Sequence, residues 1–120
     1  MKPAIMNTGF GYITVDDAEI ENDIVIRLSG RVKKRKKKLS KAVYGTSHTI
    51  SLDEAKYVYE DGATHLIVGT GQQGMVKLSD EAAAFFKNAG CKVDSLPTPK
   101  AMKRWNQAEG AVIGLFHVTC

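Results

Sequence analysis

The chain has 120 residues, 43% hydrophobic and 25% charged, which fits one globular domain over residues 1–120 with a core large enough to stand without disulfide or metal staples. With no transmembrane run and no leader-type apolar segment, the sequence predicts a cytoplasmic protein away from the membrane. Two cysteines without CxxC spacing, Cys91 and Cys120, exclude a disulfide framework. The formal charge of +4 is local: eight of the seventeen basic residues fall in Arg31 to Lys41, leaving nine basic against thirteen acidic residues elsewhere.

Gly11 to Val15 is rich in β-branched and aromatic residues and stops at Asp16-Asp17, after which Ile20 and Ile24-Val25-Ile26 resume, so a β-hairpin or meander is predicted. Leu28-Ser29-Gly30 signals a turn. The block that follows carries Arg31, Lys33, Lys34, Arg35, Lys36, Lys37 and Lys38. Like charges repel, so the block is read first as a solvated third strand and loop, then as a patch for phosphate, nucleic acid or an acidic protein. It has no interleaved aromatics, which argues against single-stranded nucleic acid. Tyr44 to Ile50 reads as a polar loop in which His48 could titrate or bind an anion.

Ser51-Leu52-Asp53-Glu54 has the S-x-x-E form of a capping box and predicts a helix from about Leu52 through Glu60, with Leu52, Ala55, Val58 and Tyr59 on its apolar face and Gly62 as its stop. His65 to Val68 reads as a central buried strand ending in a glycine loop. A second helix is predicted from Ser79 or Asp80 to Ala89, with Ala82, Phe85, Phe86 and Ala89 as its stripe. Cys91 to Leu96 is the next strand. Thr98 then reads as an N-cap before Pro99, opening a helix to about Ala108 with Ala101, Met102, Trp105 and Ala108 inward. The final run, Ala111 to Val118, is apolar enough for a strand covered on both faces. The second half is therefore β-loop-α-β-α-β, and the chain belongs to the α/β class with a mostly β first third.

Gly69-Thr70-Gly71-Gln72-Gln73-Gly74 matches G-x-G-x-x-G, with Asp94 twenty residues beyond Gly74. In a dinucleotide fingerprint the helix opens inside the glycine run, whereas Met75-Val76-Lys77-Leu78 intervenes here before Ser79, so no nucleotide cofactor is expected. Three dispersed histidines give no metal spacing, and no metal is expected. His65 and His117 read as hydrogen-bonded structural residues and Trp105 as core.

Together, Gly9 to Val15, Tyr44 to His48, Ile67 to Gly74 and Gly114 to Cys120 resemble the Mth-domain family, in order along nearly the whole chain. The resemblance implies a three-layer β + α/β/α fold with a mixed central sheet and no established activity. It also implies a cleft that His48, Thr70, Gln72 and Thr98 could line and Gly69, Gly71 and Gly74 would shape. The preferred functional expectation is a non-enzymatic interaction or assembly protein with a protein partner and no catalytic residues. The alternatives are a small-ligand or anion-binding protein or enzyme at the glycine loop with His48, and nucleic-acid association through residues 31–38. Exposed sheet edges leave room for a homodimer.

Overall fold

The computed structural model describes residues 2–120. A three-stranded antiparallel sheet is formed in the order β1 (Ile5–Gly9), β2 (Tyr12–Val15), β3 (Ala18–Ile20). The main sheet has five strands. Its order is β5 (Val32–Lys34), β4 (Ile24–Ile26), β10 (Val112–His117), β7 (His65–Thr70), β9 (Lys92–Leu96). β10, β7 and β9 are parallel to one another and β4 runs antiparallel to both of its neighbours, β5 and β10, so the sheet is mixed. A short parallel pair, β6 (Thr49–Ile50) and β8 (Lys77–Leu78), ties the His48 loop to the segment after the glycines.

The alternation of strand residues separates two cores. Val25, Leu66, Val68, Ile113 and Leu115 pack on one face with Ala55 and Val58 of α2 (Leu52–Val58) and with Ala82 and Phe86 of α3 (Asp80–Asn88). Ile24, Ile26, Ile67, Val112 and Phe116 pack on the other face with Ile5, Ile13 and Val15 of the small sheet and with Ala101 and Trp105 of α4 (Thr98–Gln107). That is the three-layer β + α/β/α arrangement with a mixed central sheet. Trp105 is fully buried, meets Phe116 edge to face at 5.8 Å between ring centroids, and donates from Nε1 to Pro3 O.

Several expectations shift. The hairpin partner of β2 on one side is β1, a strand that its own residues do not announce, while Ile24 to Ile26 leaves the small sheet and pairs with β10 in the large one. In strand order β10 is central and β7 is its neighbour. The basic block carries a third strand as expected, but it then enters a helix, α1 (Lys38–Tyr44), that the run of lysines hid; Gly45 ends it at φ +69°. α2 stops at Val58 because Tyr59 is already extended. Pro97, not Thr98, precedes the first residue of α4. α3 begins at Asp80, capped by Ser79, well after the glycine run.

Candidate functional site

Two places follow from the sequence, the glycine loop and the basic block, and the fold treats them differently. The glycine loop is closed by the chain's own C-terminal segment. Gly71 N donates to Thr98 Oγ1, Gln72 N to Thr119 O, Gln73 N and Met75 N to Cys120 O, Gly74 N to Gly71 O and Val76 N to Thr70 O. No amide from Gly71 to Val76 is left over for an anion, so the expected main-chain cradle is filled internally. Glycine is required at this spot for space as well as for dihedral angle: Gly71 has φ +105°, and a Cβ there would fall on the Cys120 carbonyl carbon.

Gly69 and Thr70 are buried in β7, Gly74 and Gln73 are exposed, and Gln72 reaches Thr8 Oγ1 at 3.1 Å. Thr98 does stand beside the loop, as two strand ends at the same sheet edge imply, but it is fully buried. Its hydroxyl accepts from Gly71 N and donates to His117 O at 2.6 Å, so it lines no cleft. His48 is half-buried, and its ring meets that of His117 in a T-shaped contact at 5.6 Å.

The basic block splits. Arg31, Lys33, Lys34, Lys36 and Lys38 are exposed and Lys37 is half-buried, but Arg35 is 3% exposed, which corrects its placement in a solvated patch. Its guanidinium donates from Nε to Glu54 Oε2 at 2.6 Å, from Nη2 to Glu54 Oε1 at 3.0 Å and to Ser47 O at 2.7 Å, and from Nη1 to Asp23 Oδ2 at 3.0 Å. A buried guanidinium needs such a set of acceptors to offset its lost hydration. Burial alone would lower its pKa, but the bonds and charges of Glu54 and Asp23 raise it.

Glu54 shows why the capping box misleads. Ser51 Oγ accepts from Glu54 N as the motif requires, yet the Glu54 side chain turns away to Arg35, and Ser51 N donates to Ser40 Oγ instead. Ser40 Oγ in turn donates to Glu54 Oε1.

Asp23 joins this core to the C-terminal strand. Its Oδ1 accepts from Val118 N at 2.9 Å and its Oδ2 from His117 Nδ1 at 2.6 Å, with Lys37 Nζ at 3.5 Å. Burial alone would raise the carboxyl, but the hydrogen bonds from His117 and Val118 and the charges of His117 and Lys37 outweigh it and hold Asp23 at about 2. An ionised carboxylate only accepts, so Nδ1 carries the imidazole proton. In the neutral ring Nε2 is then an acceptor, and it lies 3.1 Å from Thr119 Oγ1.

Above this chain of groups a groove of about 640 Å³ opens between the β1–β2 turn and the β5–α1 segment. Lys34, Lys36, Lys37 and Lys38 bound it on one side and Gly11, Val118 and Thr119 on another, with Glu21 and Asn22 beside Asp23. None of His48, Gly69, Thr70, Gly71, Gln72, Gly74 and Thr98 lines it. No sequence motif singles out Asp23 or Thr119 as functional, Glu54 reads there only as part of a capping box, and His117 reads as structural. The available signal is chemical: Asp23 directly precedes Ile24-Val25-Ile26 and His117 ends an apolar run, so each has to find a partner inside.

A family model described as "Protein of unknown function (DUF498/DUF598)" matches residues 5–116. Among solved structures, a conserved hypothetical protein from Pyrococcus horikoshii OT3 is 33% identical with TM-score 0.90, over 97% of this chain and 98% of that one. The structure titled MT938 is 30% identical with TM-score 0.83, over 99% and 100%. A Bordetella pertussis protein titled a Mth938-like domain shares the fold at 19% identity and TM-score 0.62, over 97% and 85%.

Proposed function

We propose, from the premise that this chain belongs to the DUF498/DUF598 family of Mth938-like α/β proteins, that it binds a small organic anion bearing carboxylate or phosphate groups in the groove over Asp23 and Thr119. The observation that carries this reading is the anchoring of Arg35. Its buried ion pairs with Glu54 and Asp23 fix the middle of the basic block, so Lys34 and Lys38 are presented from a rigid segment at the rim of a cavity of about 640 Å³. That volume lies in the range of small-ligand sites.

A titration of inorganic pyrophosphate and succinate into the protein by calorimetry tests it. Saturable binding that weakens several-fold between low and physiological salt, and that Lys34→Gln with Lys38→Gln abolishes, is expected. Binding of neither anion, or binding indifferent to those two substitutions, overturns it.

A second reading, the interaction or assembly role with a protein partner, is favoured by Phe10. This residue at the β1–β2 turn is 66% exposed beside the groove residue Gly11, and Met6 and Met75 are 62% and 54% exposed. An acidic segment with an apolar anchor suits such a surface. Self-association through the same apolar residues is the homodimer form of that reading. Nucleic acid is the weakest occupant, because Arg35 is withdrawn from the run of phosphate-contacting charges.

A further inference from the structure

Resting on the anion-binding reading of the groove, we infer that Asp23, His117 and Thr119 form a hydrogen-bonded relay that makes Thr119 a nucleophile toward esters whose acyl part carries an anionic group. Three observations meet here. Asp23 Oδ2 accepts from His117 Nδ1 at 2.6 Å, and His117 Nε2 is 3.1 Å from Thr119 Oγ1. Asp23 and His117 are 1% and 2% exposed, so the orienting carboxylate and the base are shielded, whereas Thr119 is half-buried and is one of the residues that line the groove. The imidazole is also held from a third side by the half-buried His48 ring.

This is the chain of roles used in acyl transfer, with an acid that fixes the tautomer, a base within hydrogen-bond reach and a hydroxyl at the solvent end. Holding Asp23 in place does not require the far side of the ring to carry a hydroxyl toward a cavity. A structural pair is complete at Nδ1. The second nitrogen, aimed at a hydroxyl that lines a cationic groove, is what the fold alone leaves unexplained.

The step balances without a cofactor. As Thr119 Oγ1 bonds to the acyl carbon, its proton passes to His117 Nε2 and the carbonyl π pair moves to oxygen. Collapse breaks the bond to the leaving oxygen, which takes the proton from Nε2. A water then gives a proton to Nε2 and attacks the threonyl ester, and Thr119 recovers that proton as the acid departs. Lys34 and Lys38 at the rim would hold the anionic end of the acyl group, which sets the substrate class apart from neutral esters. Asp23 acts through His117 and is a positioning residue.

The test uses the 4-nitrophenyl monoester of terephthalic acid, whose para-carboxylate cannot reach its own ester carbonyl, against the neutral 4-nitrophenyl benzoate, with nitrophenolate release followed by absorbance and acid-quenched protein mapped by peptide mass spectrometry. Expected are a 4-carboxybenzoyl group on Thr119, preference for the terephthalate ester, a fall in its turnover of about a hundredfold or more in Thr119→Ala and in His117→Gln, and recovery of the adduct in Thr119→Ser. Thr119 is partly exposed, so its variants test the relay even where His117→Gln fails to fold. Acylation of lysines alone, or release unchanged in Thr119→Ala, overturns the relay. If succinate itself still binds in a Lys34- and Lys38-dependent way, the groove reading survives that result; if it does not, both fall.

Discussion

Replacing Arg35 with methionine removes a buried cation and leaves Glu54 and Asp23 facing each other's charge without it. Four hydrogen bonds are lost: two to Glu54, one to Asp23 and one to Ser47 O. Glu54 and Asp23 are 0% and 1% exposed, so both carboxylates would be left buried without their cation. Breaking a buried pair by deleting one partner costs about 3–5 kcal/mol, a large share of the roughly 5–15 kcal/mol that holds a typical domain folded. The single tryptophan, Trp105, reports unfolding in urea by its fluorescence.

At pH 7 the Arg35→Met protein should unfold at a much lower urea concentration than the parent. In the parent, Asp23 is held at about 2 against 3.8 unfolded, so falling pH destabilises it. A deficit below about 1 kcal/mol at pH 7 would refute the view that buried charge pairing holds this segment.

Asp23 alone contributes about 2 kcal/mol at neutral pH by the same linkage, from the difference between 3.8 and about 2. Acid unfolding of the parent should therefore steepen between about pH 4 and pH 2, and Asp23→Asn, if folded, should flatten that limb of the stability curve. Gly71→Ala places a Cβ on the Cys120 carbonyl at φ +105° and should destabilise by about 2 kcal/mol or more. Amide exchange should quicken at Gln72, Gln73 and Met75, whose acceptors lie on Thr119 and Cys120. Unchanged exchange at those three amides would show that the tail is not what the glycine accommodates.

Periodicity carried the second half of the molecule because its elements are long and each has one dominant pattern. The stripe of α3, the buried Trp105 of α4 and the continuous apolar run of β10 lie where the sequence placed them. The first third was harder, because β3, β4 and β5 have three residues each and their sheet membership depends on partners far away in sequence. Nothing local distinguishes Ile24 pairing with the small sheet from Ile24 opposite Phe116. The site failed to show for a related reason. A G-x-G-x-x-G string advertises backbone freedom but does not reveal which carbonyl will use it, and here the acceptors come from Thr119 and Cys120, more than forty residues away.

Charge balance shows why the basic block cannot be read as a single patch. Asp23, Glu54 and Arg35 together leave one uncompensated negative charge inside the fold. Lys37, with its side chain 37% exposed and its Nζ 3.5 Å from Asp23, is the nearest cation to offset it, so its charge is committed inward. Lys36 lies over the Tyr57 ring at 4.6 Å and is held there in part. Of the charges around the groove, Lys34 and Lys38 remain for an incoming anion, while Arg35 and Lys37 hold the scaffold that presents them. A substitution at Lys37 would mix stability with binding, whereas Lys34 and Lys38 report on binding alone.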